Sequence, residues 1–169
     1  MFAKRKIILI LFLFAPFISM AQDDAISKFF DEYSDKENFT NVTISSKMFS
    51  LFTHIDAETE EDKELLETMS KLKGLRILAA DSIPNARAFY KNAIKLPGKA
   101  YEELMTVKNG GDEEMLFLIR EEKGKIAELV LMVGGNQGFF VMTIFGDVDL
   151  KQISKLSKSM NIKGVDYLG

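Results

Sequence analysis

The stretch from Glu114 to Phe145, EMLFLIREEKGKIAELVLMVGGNQGFFVMTIF, decides the fold. It holds three apolar runs of strand length, rich in β-branched and aromatic residues, separated by two short turns. The first turn, EKGK, carries one glycine and suits a tight hairpin. The second, GGNQG (134–138), lies between two strand-like runs rather than between a strand and a helix. It has neither the GxGxxG spacing nor a lysine followed by Ser or Thr, so it predicts a hairpin loop and not a phosphate cradle. An antiparallel meander of three strands follows.

The last run, FFVMTIF (139–145), is apolar in both registers. In a strand, Phe139, Val141, Thr143 and Phe145 point one way, and Phe140, Met142 and Ile144 the other. Either it is a central strand covered on both sides, or helices cover one face while a partner or apolar ligand takes the other. Phe140, Met142 and Ile144 are the candidate contact face under the second reading. After it, Gly146-Asp147-Val148-Asp149 leads into a helical pattern at Leu150, Ile153, Leu156 and Met160. Asp149 is expected to cap that helix by accepting from its free N–H groups. A divalent-metal pair of Asp147 and Asp149 is less favoured, because hard cations need a denser oxygen set and the calcium-loop pattern is absent.

Upstream, Ile26, Phe29, Phe30 and Tyr33 recur at helical spacing, and NFTNVTIS (38–45) reads as a strand. Met48, Leu51, Phe52 and Ile55 suggest a short helix behind Ser45 or Ser46. A longer one spans DAETEEDKELLETMSKLKG (56–74), with acids in its first turn, lysines in its last and Gly74 at its end. LRILAADS (75–82) is a second strand. Pro84 opens another helix, with Ala86, Phe89, Tyr90 and Ile94 facing inward. KAYEELMTV (99–107) reads as a further short helical segment through Tyr101, Leu104 and Met105. The expected class is α+β: a mostly antiparallel four- to five-stranded sheet packed with helices, with a C-terminal three-strand meander followed by a helix.

The chain start, MFAKRKIILILFLFAPFISMAQDD, has a basic segment (Lys4, Arg5, Lys6), a short apolar core from Ile7 to Phe14 and small residues at Ser19 and Ala21. That is the layout of a secretory signal peptide cut after Ala21, which places the remainder, residues 22–169, in the periplasm or outside the cell as one domain. The chain has no Cys, so it offers neither a lipidated anchor nor a disulfide, and no stable membrane anchor is expected after cleavage. Its net charge is −3, and removing residues 1–21 leaves 19 Lys+Arg against 25 Asp+Glu, or −6. Nucleic acid is excluded as a partner, because phosphate neutralisation dominates that affinity.

Catalytic patterns are scarce. His54 is the single histidine, with no Cys nucleophile and no GxSxG around any Ser. A Ser-His-Asp triad and a zinc site are both disfavoured, and no cofactor or metal is expected. Paired carboxylates remain open: Asp147 with Asp112, or with an acid from the run Asp56, Glu58, Glu60, Glu61, Asp62, Glu64 and Glu67. Such a run at a helix start is more often a solvated face. Asn38 and Asn41 fall in NFT and NVT glycosylation sequons, which matter only where that machinery exists.

The segments FTNVTISSKMFSLF (39–52), LKGLRILAADS (72–82) and FFVMTIFGDVDLKQISKLSKSMNIKGVDYL (139–168), with the start ending MAQ, together resemble the domain-of-unknown-function 4252 family. Those are small exported proteins of Bacteroidetes, many of them lipoproteins. The resemblance implies an envelope location and a compact α+β domain, and it supplies no activity and no catalytic residues. This chain departs in lacking a lipobox Cys. The leading expectation is a non-enzymatic envelope module whose partner is an envelope protein or an apolar ligand. The alternatives are a carboxylate-dependent hydrolase of an envelope glycan or peptide, and an assembly role through a homodimer sheet edge.

Overall fold

The computed structural model of the chain describes residues 25–53, 56–110 and 113–151, apart from the side chain of Phe52. The signal segment 1–21, His54, Ile55, Asp112 and the helical pattern beyond Lys151 lie outside the described residues. The elements run α1 (Ala25–Tyr33), β1 (Thr40–Ser45), α2 (Ser46–Phe52), α3 (Glu60–Lys71), β2 (Leu72–Ala80), α4 (Ala86–Ala93), β3 (Glu102–Asn109), β4 (Glu113–Glu122), β5 (Lys125–Gly135) and β6 (Phe139–Val148).

The six strands form one sheet in the order β1-β2-β6-β5-β4-β3, and every pairing is antiparallel. The α+β class and the antiparallel sheet stand. The expected strand count of four to five does not: there are six among the described residues, and the meander has four strands, β3 to β6. The difference lies in Glu102–Asn109. Its Glu, Leu and Met residues favour a helix, but pairing with β4 overrides that local preference. As an edge strand it needs no second apolar face, so its burial alternates only weakly and its periodicity misleads.

Each face of the sheet carries its own core. On the first face, Leu78, Leu116, Leu118, Val130, Met132, Phe139 and Val141 meet Ile26, Phe29 and Phe30 of α1 and Tyr90 and Ala93 of α4. Phe29, Tyr33, Phe39, Phe89 and Phe139 form one aromatic cluster there, with ring centroids 4.9–5.7 Å apart. On the second face, Leu75, Phe117, Ile119, Leu129, Leu131, Met142 and Ile144 pack with Phe49 of α2 and, less deeply, Met69 of α3.

Local chemistry fixes the helix ends. Thr59 caps α3 in a reciprocal box: its hydroxyl accepts from the Asp62 N–H at 3.1 Å, and Asp62 accepts from the Thr59 N–H at 3.0 Å. The Thr59 hydroxyl, which also donates to the Asp62 carboxylate at 2.7 Å, and then the Thr59 N–H hold that carboxyl below its ordinary range. The far end of α3 differs from expectation. Leu72 is already extended, so the helix passes straight into β2, and Gly74 lies inside that strand opposite Phe145 rather than at a helix cap.

The GGNQG turn does join β5 to β6 as a hairpin. Gly134 has a second role, because a Cβ there would lie 2.4 Å from ring atoms of Tyr90. The missing side chain is what lets α4 settle on β5. Gly134→Ala should therefore destabilise the fold by about 1–3 kcal/mol through overpacking. A urea-unfolding midpoint lowered accordingly is the expected result.

Candidate functional site

Four strands each carry a polar residue towards the same end of the first face. They are Arg76 in β2, Arg120 in β4, Glu128 in β5 and Thr143 in β6. Register brings them together. Arg76 lies directly opposite Thr143, Arg120 directly opposite Glu128, and Thr143 is a diagonal neighbour of Glu128. Tyr101, just before β3, reaches in from the sheet edge.

Glu128 is the hub, only 9% exposed. Its Oε2 accepts from the Tyr101 hydroxyl at 2.8 Å and from Arg120 Nε and Nη2 at 3.2 and 3.1 Å. Its Oε1 accepts from the Thr143 hydroxyl at 2.7 Å. A carboxylate this buried persists only when paired and hydrogen-bonded. Arg120 also pairs with Glu122. Burial works against the Arg120 charge, but the bonds to Glu122, Glu128 and Tyr101 outweigh it and hold the guanidinium above its ordinary pKa. Burial, then the charge of Glu128, pushes the Tyr101 phenol well above 10.

Arg76 docks α1 beside this network. Its guanidinium sits 4.5 Å from the Phe30 ring centroid, donates to the Ser27 hydroxyl at 3.3 Å and pairs with Asp31 at 2.7 Å. Ser27, Phe30 and Asp31 share one face of α1 by helical spacing. Together these groups line a cleft of ≈ 340 Å³, with Lys73 at its exposed rim. Lys73 has no ion-pair partner among the described residues.

A larger depression of ≈ 630 Å³ lies at the other end of the sheet, around the GGNQG turn, Asp81 and Glu113. Both acids are exposed, and among the described residues no buried titratable group faces it. The smaller cleft therefore holds the more organised chemistry.

The residues singled out from sequence sit elsewhere. Met142 and Ile144 are 1% and 4% exposed inside the second core, with Phe140 packed at its margin. That face of β6 is occupied by the protein's own side chains. Asp147 pairs with Lys125, and Asp149 Oδ1 accepts from the Lys151 N–H at 2.9 Å, the bond a first-turn cap makes. In the acidic run, Glu60 pairs with Lys63 and Glu67 with Lys71 along an exposed helix. No group of three or more acidic or histidine ligands converges on a metal-sized point among the described residues.

Residues 33–156 match the family described as Domain of unknown function (DUF4252). The chain belongs to the DUF4252 family. The matched span contains all six strands and the five polar side chains of the network, whereas Ser27, Phe30 and Asp31 of α1 precede it. No curated protein and no solved structure matches this DUF4252 chain.

Arg76, Tyr101, Arg120, Glu128 and Thr143 escaped the sequence reading. The usable signal was a polar residue interrupting or ending an apolar run in each strand, but their convergence requires the register.

Two outcomes follow for this DUF4252 protein. Glu128→Ala should lower stability by about 3–5 kcal/mol, because it strands a buried guanidinium, whereas Glu128→Leu combined with Arg120→Met should cost less. Urea midpoints of the single and double variants check this. The second concerns alkali. Burial, then Glu114 and Glu103, lift the Tyr90 phenol to about 12, and Tyr101 is raised as well. Above about pH 10 the unfolded chain loses protons that the folded chain keeps, so stability falls with rising pH. Tyr101→Phe should flatten the fall in urea midpoint between about pH 8 and about pH 11.

Proposed function

We propose that this DUF4252 chain is a non-enzymatic binding module of the bacterial envelope. In this reading the segment 1–21 exports it and is removed after Ala21, and the Bacteroidetes affiliation follows from the sequence resemblance. The contact region is the cleft between α1 and the β2-β6-β5-β4 end of the sheet. Its partner is a polar, anion-bearing molecule or protein side chain, met at the rim by the ammonium of Lys73, which has no ion-pair partner among the described residues.

One observation supports this reading above the others: among the described residues, the one carboxylate deep in the cleft, Glu128, is already engaged by Tyr101, Arg120 and Thr143. A general acid or base must reach and exchange a proton with substrate, and both oxygens of this carboxylate are already taken up by the protein's own donors. A carboxylate-dependent hydrolase would need two acids free on one cavity. Asp147 is paired with Lys125, the acids of α3 lie on an exposed helix, and Asp112 lies outside the described residues.

The test is capture from envelope extract by the purified protein, with native mass spectrometry of the eluate and calorimetry of whatever co-purifies. Lys73→Glu, an exposed change that leaves the network intact, should weaken binding about tenfold, the equivalent of about 1.4 kcal/mol. Turnover of a glycan or peptide that disappears in Glu128→Gln would overturn the reading in favour of the hydrolase.

A further inference from the structure

The two edges of the sheet are built differently. β3 carries Glu102, Glu103 and Lys108 and is broken by a bulge between Glu103 and Met105. Charge and bulges are how natural sheets block edge-to-edge pairing. β1, TNVTIS, has no charge, no proline and no glycine, and it pairs with β2 without a register shift. Its outward N–H and C=O groups form a regular template, and none of its side chains is buried.

Exposed apolar side chains gather at the same corner. Val42 is 39% exposed, and Met48 and Leu51, three apart on α2, are 45% and 56% exposed. Among the described residues Leu104 is the one other large apolar side chain so exposed. Val42 lies opposite Ile77, and Ile77 opposite Met142, so Val42 belongs to the second face, where Phe49 of α2 also packs.

We propose that β1 is a homodimer interface, pairing antiparallel with β1 of a second copy across a twofold axis to make one continuous twelve-stranded sheet. A neutral strand is the window through which two copies of an acidic chain, of net charge −3 as a whole and −6 without residues 1–21, can meet without opposing like charges. A foreign extended peptide would instead draw its specificity from pockets for alternate side chains, and neither cleft described above is lined by β1.

The geometry restricts the register. In one continuous antiparallel sheet, directly opposed side chains share a face, and along a strand the faces alternate. A twofold axis therefore places a residue opposite itself. For β1 that residue is Val42 or Thr43. With Val42 at the axis, Thr40 meets Ile44 on the second face and Asn41 meets Thr43 on the first. All of these contacts are uncharged.

The chain has no Cys, so one introduced thiol can form only an intermolecular disulfide. Val42→Cys and Thr43→Cys are both exposed changes, and directly opposed Cα atoms in antiparallel strands lie within disulfide reach. Under mild oxidation, one of the two should cross-link at least about tenfold faster than Leu104→Cys on the opposite edge, since pairing concentrates the thiols. The parent protein should show a dimer mass in sedimentation or light scattering, and Val42→Lys should be a monomer whose urea midpoint matches that of the parent at dilutions where the parent has dissociated. A parent that stays monomeric at high concentration, with all three cysteines equally slow, would overturn the proposal. So would a monomer whose β1 captures an extended peptide instead. Lys73→Glu should leave the dimer intact, so failure of the cleft reading and failure of the interface are separately visible.

Discussion

The structure depends on burying both faces of β5 and β6. Leu129, Val130, Leu131 and Met132 are consecutive in β5, so their side chains alternate between the two faces, and all four are fully buried. A strand that is apolar on both sides cannot sit at an edge or face water. It must be central, with a layer against each face. The rest follows from that requirement. β4 and β2 flank the central pair, α1 and α4 cover one face, and α2 and α3 pack on the other over β1, β2 and β6.

The same burial makes the polar exceptions expensive. Glu128 and Thr143 sit in the two most buried strands, where an unsatisfied polar group would cost far more than a matched apolar one. Each is satisfied by a neighbour that register supplies. The network closes the end of the first core and borders the cleft beside α1. Arg76 then ties α1 to that end through an aromatic ring, a hydroxyl and a carboxylate. Structural cohesion and the candidate recognition surface thus use one set of side chains. The carboxylate at its centre is fixed in place by donors from three sides.

The sequence by itself determined more of the fold than of the site. Alternating apolar runs between Glu114 and Phe145 established the last three strands and their hairpins, and helical spacing located α1 and α4. It failed at Glu102–Asn109, where residues with good helix propensity form an edge strand. It also failed at Gly74, where an apparent helix end is a strand position beneath Phe145. In both places local preference yielded to cross-strand pairing, which acts between residues far apart in the chain.

What only the tertiary structure decided is which polar residues meet. Arg76, Tyr101, Arg120, Glu128 and Thr143 are spread over 68 positions, and nothing in their spacing groups them. A shift of one residue in any strand would turn its polar member to the opposite face. The fate of the FFVMTIF strand was decided the same way. Its composition allowed either a covered interior strand or an open contact face, and the packing around Phe117, Leu131, Met142 and Ile144 filled the second face from within. The physical reason is common to both. Periodicity fixes where a side chain points relative to its own backbone, but only the pairing of distant strands fixes what it meets there.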